Sequence, residues 1–314
     1  LFEQYKYVVN ASDYDSFPLK WNEIFGNDNP IVIEIGFGHG EFTRELAIKH
    51  PDKNFVGFET SITSISKIQR RLYNDNIENV RILTTDGRFG IRNLFQDNSV
   101  EKVIVNFPCP WSKEKHFHRR ITVPEFFDSL KMVLTENGEF ELATDVGPYA
   151  EDAYDMAEEM EFEVSDILLN EDREVKTRFE KKWIKYGRDI YTLRIKKREY
   201  QKAERMLKEE EPMPHASVKK EKADISKIFS NLNKPFKSES EKQICIFKGA
   251  FKDESSSHYL LKAIAVDGEF EQHFFINIFE RENDWVVKLD SVSNPYRTPA
   301  VKFSVNEVAR LIAE

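Results

Sequence analysis

Seven residues, Glu34–Gly40 (EIGFGHG), set three glycines two apart behind a β-branched apolar run. Glycine admits backbone conformations that let a chain approach a ligand closely, and a helix starting beyond such a turn points its amino end at that ligand. The spacing is Gly36-x-Gly38-x-Gly40, and Glu41 stands where a dinucleotide fingerprint would place its last glycine. Two further carboxylates follow later apolar runs: Glu59 closes NFVGFE, and Asp86 comes after VRILTT. At the end of a second strand an acidic side chain accepts the two hydroxyls of a ribose, and a carboxylate after the third reaches an adenine amino group. The short glycine spacing, with Glu34 at its head, is the form expected of an S-adenosylmethionine site. A nicotinamide dinucleotide is the alternative, opposed by the spacing and by the lack of an obvious hydride-transfer acid–base pair.

A second group of reactive side chains lies in Asn106–Arg120, NFPCPWSKEKHFHRR. Prolines on both sides of Cys109 restrict the backbone and give that side chain a defined direction. Lys113, Lys115, His116, His118, Arg119 and Arg120 follow at once, and cations of this density beside a reactive edge suit a substrate with phosphates. Trp111 and Phe117 add flat surface on which a base can stack.

Positioning these groups requires strands that end together. Ile31–Ile35, Asn54–Glu59, Val80–Thr84, Lys102–Phe107, Glu139–Thr144 and Ile190–Lys196 read as strands, with helices expected over Phe42–Lys49, Ile62–Tyr73, Glu125–Leu134 and Tyr149–Met160. Alternation at this spacing implies an α/β fold with a doubly wound, mostly parallel sheet, whose strand ends gather the motifs at one edge. Beyond it, residues 201–242 are charged and poor in large apolar side chains, and are expected to form a helix or linker. Four strands between Gln243 and Val292, a hairpin at Asp267-Gly268 and a helix over Asn306–Ala313 imply a small α+β domain at 243–314, after a first domain at 1–200.

The 314 residues carry a net charge of −9, unevenly distributed. Residues 121–175 hold 17 acidic and 2 basic side chains, whereas residues 176–208 hold 13 basic and 4 acidic, enough for local binding of a polyanion on an otherwise acidic surface. Tyr5, Lys6 and Tyr7 near the start are candidates for further contacts. Two cysteines far apart give neither a disulfide framework nor a zinc spacing, and no apolar run is long enough to span a bilayer. The expectation is a cytoplasmic protein without metal or membrane anchor, a monomer or a homodimer.

Taken together, the motifs resemble those of the bacterial tRNA (guanine-N7-)-methyltransferase family. The matching positions are Glu34–Gly40, Asn106–Trp111, Lys113, Lys115-His116, Arg119–Thr122, Thr144-Asp145 and Thr177–Glu180 (TRFE). The resemblance covers about residues 1–200 and implies a Rossmann-like methyltransferase fold, S-adenosylmethionine as cofactor and tRNA as partner. The implied reaction is methyl transfer to N7 of a guanine, usually position 46 of the variable loop. It also implies site roles: Glu34, Gly36, Gly38, Gly40, Glu59, Asp86 and Asn106 for the cofactor; Lys113, His116, Arg119, Arg120, Asp145, Thr177, Arg178 and Glu180 for the substrate; and Cys109 with Asp145 at the reacting atoms. Asp145 and Glu180 are expected to accept from N1–H and the 2-amino group of the base. The family usually has aspartate where this chain has Cys109. That departure leaves two alternatives: a tRNA-binding homologue without turnover, and a cytosine-C5 methyltransferase using the thiol as nucleophile.

Overall fold

The structure is a computed structural model that describes residues 3–10, 14–210 and 212–313. The chain divides into two compact units, Leu1–Asn10 with Phe17–Arg205, and Ala11–Ser16 with Met206–Glu314.

The first unit runs α1 (Trp21–Phe25), β1 (Ile31–Ile35), α2 (Glu41–Lys49), β2 (Asn54–Phe58), α3 (Ile62–Asn74), β3 (Val80–Leu83), α4 (Gly87–Leu94), β4 (Val100–Asn106), α5 (Pro124–Val133), β5 (Leu134–Thr144) and α6 (Gly147–Glu159). It ends with β6 (Glu163–Val164), β7 (Leu168–Leu169), α7 (Arg178–Lys185) and β8 (Tyr191–Lys196). The strand order is β3-β2-β1-β4-β5-β8-β6, with β7 also paired to β8. Pairing is parallel from β3 to β5, and β8 runs antiparallel to β5, β6 and β7. The doubly wound, mostly parallel sheet expected from the sequence is therefore present. Its order reverses between β1 and β4, the place where an open α/β sheet leaves a crevice at its carboxyl edge. The central strands are buried on both faces, which is why IVIEI and VEKVIVN read as apolar runs rather than alternating ones.

Caps mark where strands hand over to helices at that edge. The Ser61 side chain caps α3, and Asp86 Oδ1 accepts from the amides of Arg88 at 2.8 Å and Phe89 at 3.3 Å to start α4. Asn137-Gly138 does not stop α5; the chain leaves the helix at Leu134 and is already in β5.

The second unit contains β9 (His215–Lys219), α8 (Ser226–Ser230), β10 (Pro235–Lys237), β11 (Gln243–Lys252), β12 (His258–Asp267), β13 (Phe270–Glu280), β14 (Asp284–Leu289) and α9 (Pro299–Ala313). Its sheet has the order β10-β11-β12-β13-β14-β9 and is antiparallel throughout. One face, with Cys245, Phe247, Leu261, Ile276 and Val287, packs in one core with Val301, Val305, Val308 and Ile312 of α9. The segment 201–242 is thus neither a helix nor a plain linker. It supplies β9 and β10 to this sheet, and α9 begins seven residues before the expected Asn306. Among the described residues no helix is long and apolar enough to cross a membrane.

Candidate active site

The glycine loop leaves β1 with Gly36, Gly38 and Gly40 at φ of 75°, 55° and 74°, all left-handed. A Cβ at Gly36 or Gly38 would meet nothing within 4 Å, so open space lies over the loop. Gly40 differs: a Cβ there would come within 2.4 Å of Ile68, so this glycine lets α2 pack on α3. Glu59 braces the loop. One of its oxygens accepts from the Gly38 amide at 3.0 Å, and the other from the amides of Thr60 and Ser61 at 2.9 and 3.0 Å. Asp86 spends one oxygen on the α4 cap, and its other oxygen has no hydrogen-bond partner among the described residues.

Glu34 lies beneath this surface rather than on it. It is buried, accepts from the Thr43 hydroxyl of α2, and takes a hydrogen bond from Asn106 Nδ2 at 3.0 Å. Burial raises its pKa, against the pull of those donors and of Arg173. The structure therefore gives Glu34 a place under the loop, not the open cofactor contact expected from its motif. An open cradle over Gly36 and Gly38, with carboxylates at the ends of β2 and β3, fits the hydroxyl- and amino-rich adenosyl group of S-adenosylmethionine. The residues that would hold it are the loop backbone, Glu59 and Asp86. No group of three or more His, Cys, Asp or Glu among the described residues could hold a metal ion.

The segment after β4 is a tight excursion with left-handed, non-glycine residues at both ends, Phe107 at φ 50° and Trp111 at φ 41°. Such conformations persist only where the surroundings enforce them. The Phe107 amide donates to the carbonyl of Ala143 in β5 at 2.7 Å. At the other end Arg120 Nε donates to the carbonyl of Pro110 at 2.8 Å. Cys109, between these fastenings, is exposed.

Arg120 is accordingly withdrawn from substrate contact. It is buried, pairs with Asp152 at 2.7 Å and lies 3.6 Å from the Phe117 ring centre. Lys113 and Arg119 stay exposed, and Arg119 lies over Trp111 at 5.1 Å, with the half-buried His116 ring 5.8 Å from the same indole. Of the residues near the start, Tyr7 is fully buried and Lys6 pairs with Glu78 at 2.6 Å, which leaves Tyr5 exposed.

The TRFE motif begins α7. Thr177 is its N-cap, its hydroxyl accepting from the Glu180 amide at 3.0 Å while Glu180 Oε2 accepts from the Thr177 amide at 3.3 Å. This reciprocal capping box buries both side chains. Glu180 also receives Arg173 Nη1 at 2.9 Å, and burial still raises its pKa against that partner. Thr177 and Glu180 thus build the helix end rather than present a free edge. Asp145, after β5, is partly open and takes Arg188 Nη1 at 2.6 Å. Arg178 is exposed, close enough to the glycine loop that its charge, after burial and Lys67, helps lower the pKa of His39.

Two arginines that the motifs do not point to complete the arrangement. Arg188 is the partner of Asp145. Arg173 joins Glu180 to Glu141 of β5 at 2.7 Å and to Asn106 Oδ1 at 2.8 Å. Burial works to raise the Glu141 pKa, but Lys102 and Arg173 together hold it down at about 2. The available signal was charge inside apolar strands: Lys102 faces Glu139 and Glu141 faces Arg194 across β4, β5 and β8.

A family profile described as "Putative methyltransferase" matches residues 28–193, the part of the chain that holds the glycine loop, the NFPCPW turn and α7. The tRNA (guanine-N(7)-)-methyltransferase of Thermotoga maritima is 43% identical, with 96% of both chains aligned. The enzyme of that name from Coprothermobacter proteolyticus is 30% identical over 98% of this chain and 93% of its own. The one from Aquifex aeolicus is 32% identical over 90% and 94%. Coverage of this extent includes the second unit as well as the first. On these matches the chain belongs to the tRNA (guanine-N(7)-)-methyltransferase family.

Proposed function

We propose that this chain transfers a methyl group from S-adenosylmethionine to N7 of a guanine in tRNA. The observation that carries the reading is the meeting of three elements at one sheet edge: the open glycine cradle after β1, the fastened NFPCPW turn after β4, and the amino end of α7. They occur in a chain that aligns nearly end to end with enzymes of that name. The bound cofactor supplies an electrophilic methyl carbon on a sulfonium.

Guanine N7 carries a lone pair and no proton, so no side chain has to act as general base. The work left to the protein is to hold the base in line and to tolerate the positive charge that grows on the ring. Asp145 suits both tasks. It is partly open at the strand edge and is held in place by Arg188, with its Oδ1 directed to no partner among the described residues. Accepting from N1–H and the 2-amino group would select guanine over adenine and place a negative charge beside the developing cation. Lys113, Arg119 and Arg178, all exposed, would meet phosphates, with Trp111 and His116 as the adjacent flat surface. A tRNA substrate places the reaction in the cytoplasm, and the variable-loop position 46 is the expected target.

Incubating the protein with unmodified tRNA and labelled S-adenosylmethionine, followed by nucleoside analysis, tests this. The expected product is 7-methylguanosine, lost when the target guanine is replaced. Because N7 needs no nucleophilic catalyst, Cys109→Ala retains product formation and no thiol–base adduct accumulates. 5-Methylcytidine, or tight tRNA binding with no transfer, would overturn the reading.

A further inference from the structure

The loop between β7 and α7 reads EDREVK, and its arginine is buried among acidic residues. The two Arg173 nitrogens Nη1 and Nη2 reach three acceptors on three different elements. Nη1 donates to Glu180 at the third position of α7; Nη2 donates to Glu141 in β5 and to Asn106 at the end of β4. The guanidinium also lies 5.3 Å from the ring centre of Phe42 in α2. Asn106 carries the connection onward, its Nδ2 donating to Glu34, which takes the Thr43 hydroxyl of α2. One unbroken series of hydrogen bonds thus runs from the capping box of α7, past the first residue of the NFPCPW turn, to the strand and helix that flank the glycine loop.

The three acceptors do not depend on Arg173 equally. Glu141 also holds Lys102 at 2.8 Å and Arg194 at 3.1 Å. Glu180 has Arg173 as its only ion-pair partner among the described residues. Losing the guanidinium would leave β5 fastened by two other cations, while the buried α7 carboxylate would keep only the Thr177 amide and no ion-pair partner among the described residues. A lysine would keep the charge but present one point donor in place of a planar fork, and could not satisfy three separated acceptors in the same geometry.

We propose that Arg173 is a positioning residue for the methyl transfer: it locks the amino end of α7 to the end of β4 and to Glu141 within β5, setting the tRNA-facing helix in register with the cofactor loop. The assignment to tRNA rests on the function proposed above; the lock itself does not. Arg173→Lys and Arg173→Gln are compared with the parent for thermal stability, S-adenosylmethionine affinity by calorimetry, kcat and KM for tRNA, and amide hydrogen exchange. Arg173→Lys is the variant expected to fold if Arg173→Gln does not.

The expected result for Arg173→Lys is a fall of about tenfold or more in kcat/KM for tRNA, with cofactor affinity within about threefold of the parent. Exchange at Thr177–Lys181 should quicken by about tenfold while Leu142 and Leu193 in β5 and β8 stay protected. Unchanged kcat/KM together with unchanged exchange at α7 would overturn the proposal. So would a parallel loss of cofactor affinity, tRNA turnover and protection across β5, which would mark a merely structural residue. If the parent itself transfers no methyl to tRNA, the proposed function fails, and the exchange comparison still decides whether the lock exists.

Discussion

Gly38 and Gly40 share a motif and a backbone sign, yet they do different work. Replacing Gly38 by alanine adds a methyl where nothing lies within 4 Å, at a φ of 55°, so the fold loses only about 1–2 kcal/mol of backbone preference. That methyl enters the cradle proposed for the cofactor. Gly38→Ala should therefore weaken S-adenosylmethionine binding by calorimetry about tenfold or more with a small change in Tm, since close backbone approach is what the glycine permits. Gly40→Ala drives its methyl against the fully buried Ile68, at 2.4 Å, and should lower stability by about 2–4 kcal/mol in urea unfolding. A Gly38 variant that unfolds like the Gly40 variant and binds like the parent would remove the cradle from the site. Residue-scale reading of the sequence reached what neighbours in the chain set, as with the left-handed turn at Gly36 and Gly38, but not the packing of Gly40 on Ile68. It failed where the use is set across the fold. Arg120 looked like one more cation in a basic run, but the carbonyl of Pro110 and Asp152 claim it. Glu180 looked like a base reader, but Arg173, 7 residues away and outside the motif, holds it inside the helix end.

At the scale of elements, the sheet was legible because the central strands are apolar on both faces and separated by helical spacing. Helix α4 was not, since GRFGIRNL has two glycines and too few apolar positions to show a period. It forms because Asp86 caps it and because its Phe89, Ile91 and Leu94 are buried. Strands β9 and β10 were hidden for a related reason: HASVK and PFK are short, and only Val218 is buried among them, so their membership of the sheet depends on β14 and β11. The charges inside β4, β5 and β8 have an energetic consequence. Glu141 titrates at about 2 instead of its ordinary 4.5, a depressed value. Its contribution is therefore complete above about pH 4.5 and is lost as pH falls through 2, a total of about 3 kcal/mol at most. Glu34 and Glu180 are shifted upward and slope the other way, so the informative quantity is the difference between variant and parent. Glu141→Gln should lose up to about 3 kcal/mol at pH 7, because Lys102 then keeps Glu139, and Arg173 keeps Glu180, as its one ion-pair partner among the described residues. Its deficit should shrink as the pH is lowered from 4.5 to 2. A deficit that is constant across that range in urea titrations would mean that the fold does not hold this carboxyl below its ordinary pKa.

At the scale of the whole molecule, a net charge of −9 and a polyanionic partner are reconciled by where the charges stand. Helix α6 exposes Glu151, Asp152, Asp155, Glu158 and Glu159, a face that repels RNA. Helix α7 presents the opposite sign. Arg178, Lys181, Lys182 and Lys185 are in no ion pair among the described residues, while Phe179, Ile184 and Tyr186 lie exposed beside them. The basic count of residues 176–208 overstates what is available, because Arg188, Arg194, Lys197 and Arg205 are spent on Asp145, Glu141, buried carbonyls and Asp97. Arg178, Lys181, Lys182 and Lys185 recur at positions i, i+3, i+4 and i+7, so the four cations share one face of this short helix. Binding along such a face releases counterions, and the logarithm of affinity falls with the logarithm of salt by about 0.7–0.9 per phosphate contact. The triple variant Lys181→Ala, Lys182→Ala, Lys185→Ala should flatten that slope by about 2 and weaken tRNA binding at low salt, with 7-methylguanosine still formed at saturating tRNA. The measurement is filter binding or fluorescence anisotropy across a salt series. Equal slopes for parent and variant would move the tRNA off α7, and the cluster would then be an ordinary solvated face.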